Sequence, residues 1–124
     1  SWNNLVAFKR DFEMIHTPFD ATQHITSGHV VSIESDSARC LSYVHGFFIR
    51  SAAAGGSLFE STGWYDDALV KTANGWRIKN RLCKMVRWSG NPKVMQMAPD
   101  MPFDPALSRL YVEASAGSVG FFGK

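Results

Sequence analysis

Several things are scarce in this 124-residue sequence, and each scarcity removes a class of function. There are only two cysteines, Cys40 and Cys83, both inside apolar segments and without ligand-type spacing, which excludes a disulfide scaffold and predicts two buried free thiols in a reducing, cytoplasmic setting. No apolar run approaches the roughly 20 residues of a membrane helix, and no basic stretch leads into a signal-type apolar core, so no membrane partner is expected. Charge of one sign is missing as well: 13 Lys plus Arg against 11 Asp plus Glu leave +2, too little to drive binding to nucleic-acid phosphates. The four histidines are scattered without the spacing of helix-borne ligands, which argues against a metal site. Ala54-Gly55-Gly56-Ser57 lacks the lysine of a phosphate loop, and no serine sits in a nucleophile elbow. No cofactor is implied.

What is present is a single-domain ration of apolar residues, 45% hydrophobic and 13% aromatic. Residues 2–16 place Trp2, Leu5, Phe8, Phe12 and Ile15 at helical spacing, with Lys9, Arg10, Asp11 and Glu13 opposite, predicting an amphipathic helix that stops before Thr17-Pro18. From His24 to Trp88 the pattern changes to long stretches of β-branched and aromatic residues. They are broken at Glu34-Ser35-Asp36-Ser37, Ala53-Ala54-Gly55-Gly56 and Asn74-Gly75, so strands are predicted over 24–34, 37–51, 59–73 and 76–88. Asn74-Gly75 predicts a type I′ hairpin with Ala73 opposite Trp76. The remainder, 92–124, opens with Pro92, Pro99, Pro102 and Pro105 among Met95, Met97, Met101 and Phe103. A flexible apolar lid or simple packing under the sheet is expected there, followed by a short helix from Asp104-Pro105 to about Gly117.

These elements predict an α+β domain, a curved antiparallel sheet of about four strands wrapped around helices, with a small-ligand pocket between sheet and helices. An even turn after Glu34 places His24, Thr26, Gly28, Tyr43, His45 and Phe47 on one face; an odd turn separates the two histidines. In the second hairpin, strict alternation groups Tyr65 and Asp67 with Trp76, Ile78, Asn80 and Leu82. The same alternation sends Arg81 to the solvated face with Trp64 and Asp66. An imidazole, with an ordinary pKa of about 6.5, can serve as a general base in an apolar pocket; His24 and His45 are either that or ordinary strand residues, and His16 and His29 are read as structural or surface residues.

Thr22-Gln23-His24-Ile25, Gly63-Trp64-Tyr65-Asp66-Asp67 and Asn74-Gly75-Trp76-Arg77-Ile78, with Arg81 and Val86-Arg87-Trp88, together resemble the SnoaL-like family of the nuclear transport factor 2-like superfamily. Its members include scytalone dehydratase, polyketide cyclases, a dehydrochlorinase and ketosteroid isomerases. The resemblance implies a cofactor-independent lyase or isomerase acting on a small apolar, cyclic or polyketide-derived molecule. His24 would be the general base, with His45 a weaker match to a second pocket histidine. Arg81 would be a pocket arginine, provided a β-bulge between Ile78 and Arg81 turns it inward. Tyr43, Phe47, Tyr65 and Asn80 would line the pocket. The resemblance also implies a preceding helix with an aspartate, upstream of the first residue here, and assembly as a homodimer or higher homo-oligomer. Other classes stay open: a non-catalytic ligand-binding or oligomerisation module, or the small subunit of a ring-hydroxylating oxygenase.

Overall fold

A computed structural model of the chain describes residues 4–96. The first element is helix α1, Leu5–His16, where the spacing of Leu5, Phe8, Phe12 and Ile15 predicts it. Asn4 caps it by accepting a hydrogen bond from the Ala7 backbone N–H at 2.8 Å. At the other end the Thr17 hydroxyl donates to the Glu13 carbonyl at 2.7 Å, just before Pro18.

Four strands follow, β1 (Ala21–Glu34), β2 (Ser37–Ile49), β3 (Leu58–Thr72) and β4 (Gly75–Gly90), forming one sheet in the order β1-β2-β3-β4. Consecutive neighbours joined by short returns make it antiparallel and unclosed. β1 starts three residues before the expected His24 because Asp20 anchors its entrance. The Asp20 backbone N–H donates to Ile49 O at 2.8 Å, and its carboxylate accepts from the Ser51 backbone N–H at 2.5 Å. A single 3₁₀ turn, Pro92–Met95, ends the described chain. The expected C-terminal helix and the methionine segment beyond Gln96 lie outside the described residues.

The described residues fall into two compact units through which the same strands run. The first comprises 4–23, 47–60 and 89–96, with Phe48, Phe59 and Val94 buried. An aromatic series runs through it: Phe12 stacks on His16 at 3.7 Å, His16 meets Phe19 edge-on at 5.9 Å, and Phe48 lies 5.4 Å from Phe19 and 6.1 Å from Phe59. Asn91 fastens the β2–β3 loop, its side-chain amide donating to the carbonyls of Ala54 and Gly56.

The second unit comprises 24–46 and 61–88, and its buried residues, Leu41, Ser42, Val44, Gly46, Gly63, Trp64 and Asp67, all belong to the two inner strands. β1, by contrast, is exposed along its whole length, as an edge strand with one neighbour. Cys40 is half-buried and Cys83 exposed, which corrects the expectation of two buried thiols: Cys83 sits on β4, the other edge.

The two hairpins decide which side chains share a face. Ser35 and Asp36 form the first turn, with the Ser37 hydroxyl on Glu34 O at 2.9 Å, so the turn is even as the histidine grouping requires. Gly28 opposes Tyr43; a Cβ there would lie 2.9 Å from the Tyr43 ring. Its φ of 61° interrupts the pleat, so counting alternate residues no longer carries the face from Tyr43 on to Thr26 and His24.

The second hairpin departs from expectation. Its turn residues are Ala73 and Asn74, and the positive φ, 93°, falls on Gly75 and not on Asn74. A loop that ends in a left-handed glycine adds that glycine to β4 as an extra residue, where a type I′ loop would not. Every side chain of β4 therefore changes face relative to the expected register. Arg81 joins Tyr65 and Asp67, while Asn80, one residue away on the strand, faces opposite. The odd residue lies at the turn itself, not between Ile78 and Arg81.

Candidate functional site

Tyr65-Asp66-Asp67 in the middle of β3 sets two adjacent acids on an inner strand. Adjacent strand residues point to opposite faces, so the two aspartates cannot share a partner. Each has its own arginine. Asp66 accepts from Arg39 on β2, Nε to Oδ1 at 2.8 Å and Nη2 to Oδ2 at 2.6 Å. Asp67 accepts from Arg81 on β4, Nε to Oδ1 and Nη2 to Oδ2 both at 2.7 Å. Both are planar two-point contacts, the strongest geometry open to this pair.

The second pair is the more elaborate. The Asp67 side chain is 6% exposed against 43% for Arg81, so a nearly buried carboxylate holds a half-open cation. The Arg81 guanidinium carbon also lies over the Tyr65 ring, 4.0 Å from its centre, in a cation–π contact. Carboxylate and ring thus fix the guanidinium in position and tilt. Hydrogen bonding to Asp67 raises the Arg81 pKa above its usual value, so the group is a permanent cation. Burial pushes the Tyr65 phenol up, with Cys83 and Asp67 adding to burial and Arg81 opposing it; Tyr65 keeps its proton at neutral pH and can donate it in a hydrogen bond. Arg81 spends Nε and one N–H of Nη2 on Asp67. Its remaining N–H groups have no acceptor among the described residues.

The other expected site residues are distributed as follows. His24 stands exposed on β1, His45 half-buried on β2, Tyr43 exposed over Gly28, and Asn80 exposed on β4. His29 is exposed on β1, and His16 belongs to the aromatic series of the first unit. Phe47 lines a cavity of about 340 Å³ in the first unit together with Ala21, Thr22, Gln23, Ile49 and Leu58, a volume at the small end of ligand pockets. The structure therefore joins Tyr65 with Arg81. The residue that unites them, Asp67, was not among the expected site residues; its signal was an acid in a strand position where the alternation calls for an apolar core side chain. Among the described residues no group of three or more His, Cys, Asp or Glu could hold a metal ion. None of their helices is long and apolar enough to cross a membrane.

A family model, the SnoaL-like domain, matches residues 1–82. The chain belongs to the SnoaL-like family. Solved structures agree in fold. The Kfla4162 protein of Kribbella flavida is 28% identical with a TM-score of 0.69, covering 73% of this chain and 63% of its own. A candidate scytalone dehydratase of Novosphingobium aromaticivorans is 25% identical with a TM-score of 0.60, over 68% and 56%. A candidate aromatic ring hydroxylase of the same species, 18% identical with a TM-score of 0.62 over 73% and 62%, shares the fold alone. This SnoaL-like chain thus spans less than two thirds of each of these neighbours. No curated protein matches the sequence.

Proposed function

We propose that this SnoaL-like chain is a cofactor-independent lyase or isomerase of small, apolar, cyclic substrates, with His24 as the base that takes a proton from a carbon next to a carbonyl. The observation that carries the reading is Arg81, fixed by Asp67 and Tyr65 with N–H groups to spare. Proton abstraction moves the C–H electron pair towards the carbonyl oxygen, and oriented donors that meet that oxygen lower the barrier. Arg81 has that role here, and Tyr65, protonated at neutral pH, can share it. His45 shuttles the proton onwards and Tyr43 contacts the substrate, whereas Asn80, on the face opposite Arg81, does not. The family membership and the likeness to a candidate scytalone dehydratase support the same chemistry. Assembly into a homodimer or larger homo-oligomer is part of the same reading.

The test is α-proton exchange of 2-tetralone, an uncharged bicyclic ketone, followed by proton NMR in deuterium oxide. His24 takes the α-proton, the enolate forms, and a deuteron returns from solvent. The chain is expected to accelerate exchange, and His24→Gln to cut the acceleration by about 100-fold or more. Exchange that ignores His24→Gln overturns the assignment.

The exposed position of His24 favours a second reading, a ligand-binding module without catalysis. That reading holds if 2-tetralone binds and no exchange is accelerated.

A further inference from the structure

Opposite charges in two-point contact cancel, and what remains of Arg81 towards solvent is a set of oriented N–H dipoles on a net-neutral pair. A carboxylate or phosphate arriving at those donors would meet the negative charge of Asp67 directly behind them, and the attraction of the guanidinium would be largely offset. A neutral carbonyl or hydroxyl oxygen suffers no such repulsion and gains the full directional hydrogen bond. The Tyr65 ring below supplies an apolar plate beside the donors.

We infer that Asp67 is a positioning residue that sets specificity: by neutralising and aiming Arg81 it makes this subsite select an uncharged ketone or phenol oxygen over a carboxylate. This rests on the reading of Arg81 as the substrate-oxygen donor, and it adds the substrate class. Asp67 touches no substrate itself. Its action passes through Arg81, so its removal changes which ligand is preferred, an effect that loosened packing alone would not produce.

Two bicyclic probes of similar size separate the cases, 2-tetralone with a neutral carbonyl and 2-naphthoate with a carboxylate. Binding to the full chain is followed by the Arg81 Nε–H resonance in nitrogen-15 NMR. In the wild type, 2-tetralone is expected to shift that resonance and to bind more tightly than 2-naphthoate. In Asp67→Asn, which keeps shape and removes charge, Arg81 is an uncompensated cation; the preference is expected to move towards 2-naphthoate by roughly tenfold or more. Circular dichroism and the unfolding midpoint establish that the variant is folded, and Asp67→Glu, which restores the charge, is expected to bring the preference back towards 2-tetralone. Should Asp67→Asn not fold, Arg81→Gln decides instead: a neutral donor there is expected to lose 2-tetralone affinity without gaining 2-naphthoate. The inference is overturned by a wild type that prefers 2-naphthoate, by an Arg81 resonance that 2-tetralone leaves unmoved, or by a folded Asp67→Asn with an unchanged preference. Binding does not require His24, so the failure of this inference and of the lyase reading are separate events: exchange without the preference sinks the first, and the preference without exchange sinks the second.

Discussion

The two faces of β3 carry the same ion pair in different surroundings. On one, Asp66 and Arg39 are 17% and 39% exposed. On the other, Asp67 is 6% exposed and its arginine lies against Tyr65. Contact distances hardly differ, so geometry alone does not distinguish a fastening from a functional device. Burial of the acid and the aromatic plate do. A carboxylate taken out of water must be repaid by its partner, and a cation held on two sides has little freedom left.

The sharpest way to break the symmetry is to remove each partner of the more buried pair in turn. Arg81→Ala leaves Asp67 nearly buried without its counter-charge, and a loss of about 3 kcal/mol is expected in urea unfolding. Asp67→Ala leaves a cation that can turn to water, and about 2 kcal/mol is expected. Equal losses from the two would show that the acid is better hydrated than its exposure suggests, and the contrast between the faces would fall.

The alternation of β4 depends on one loop, and this is where sequence reading and structure part. Helix α1 was legible from the spacing of Leu5, Phe8, Phe12 and Ile15, because apolar periodicity and the Asn4 cap agree. The four strands were legible for the same reason, local propensity and turn residues pointing one way, but the parity of the first turn was open in the sequence and only the structure shows the two-residue turn at Ser35-Asp36. Asn74-Gly75 was ambiguous in a way its composition conceals. The dipeptide serves a type I′ turn with both residues left-handed, or a turn one residue earlier with only the glycine left-handed, and the two differ by one position along β4. Arg81 and Tyr65 were each named from their resemblance to family residues, yet strict alternation set them on opposite faces. Asp67 was missed because its role exists only in the register that the loop selects. Gly75→Ala strains that loop, since φ of 93° is costly for any side chain. A loss of about 1 kcal/mol is expected, with the Arg81 Nε–H resonance keeping its Asp67-bound position if the register survives and moving if it slips.

The smallest effect is expected from the more exposed pair, and its sign can be stated. Hydrogen bonds from Arg39 hold the Asp66 carboxyl below its ordinary range, against the opposing effect of partial burial. A carboxyl whose folded pKa is depressed stabilises the fold above its unfolded pKa of about 3.9 and loses that contribution as pH falls through the lower folded value. Arg39→Met keeps the apolar stem and removes the charge, so the Asp66 midpoint, read by carbon-13 NMR of the carboxyl, is expected to rise towards the unfolded value. Stability between about pH 5 and pH 2 should then fall less steeply than in the wild type, by under about 1 kcal/mol, because Arg39 is 39% exposed and solvent screens the pair. A midpoint that Arg39→Met leaves in place would mean that Asp66 is held down by something other than its arginine, and the two faces of β3 would no longer be variants of one device.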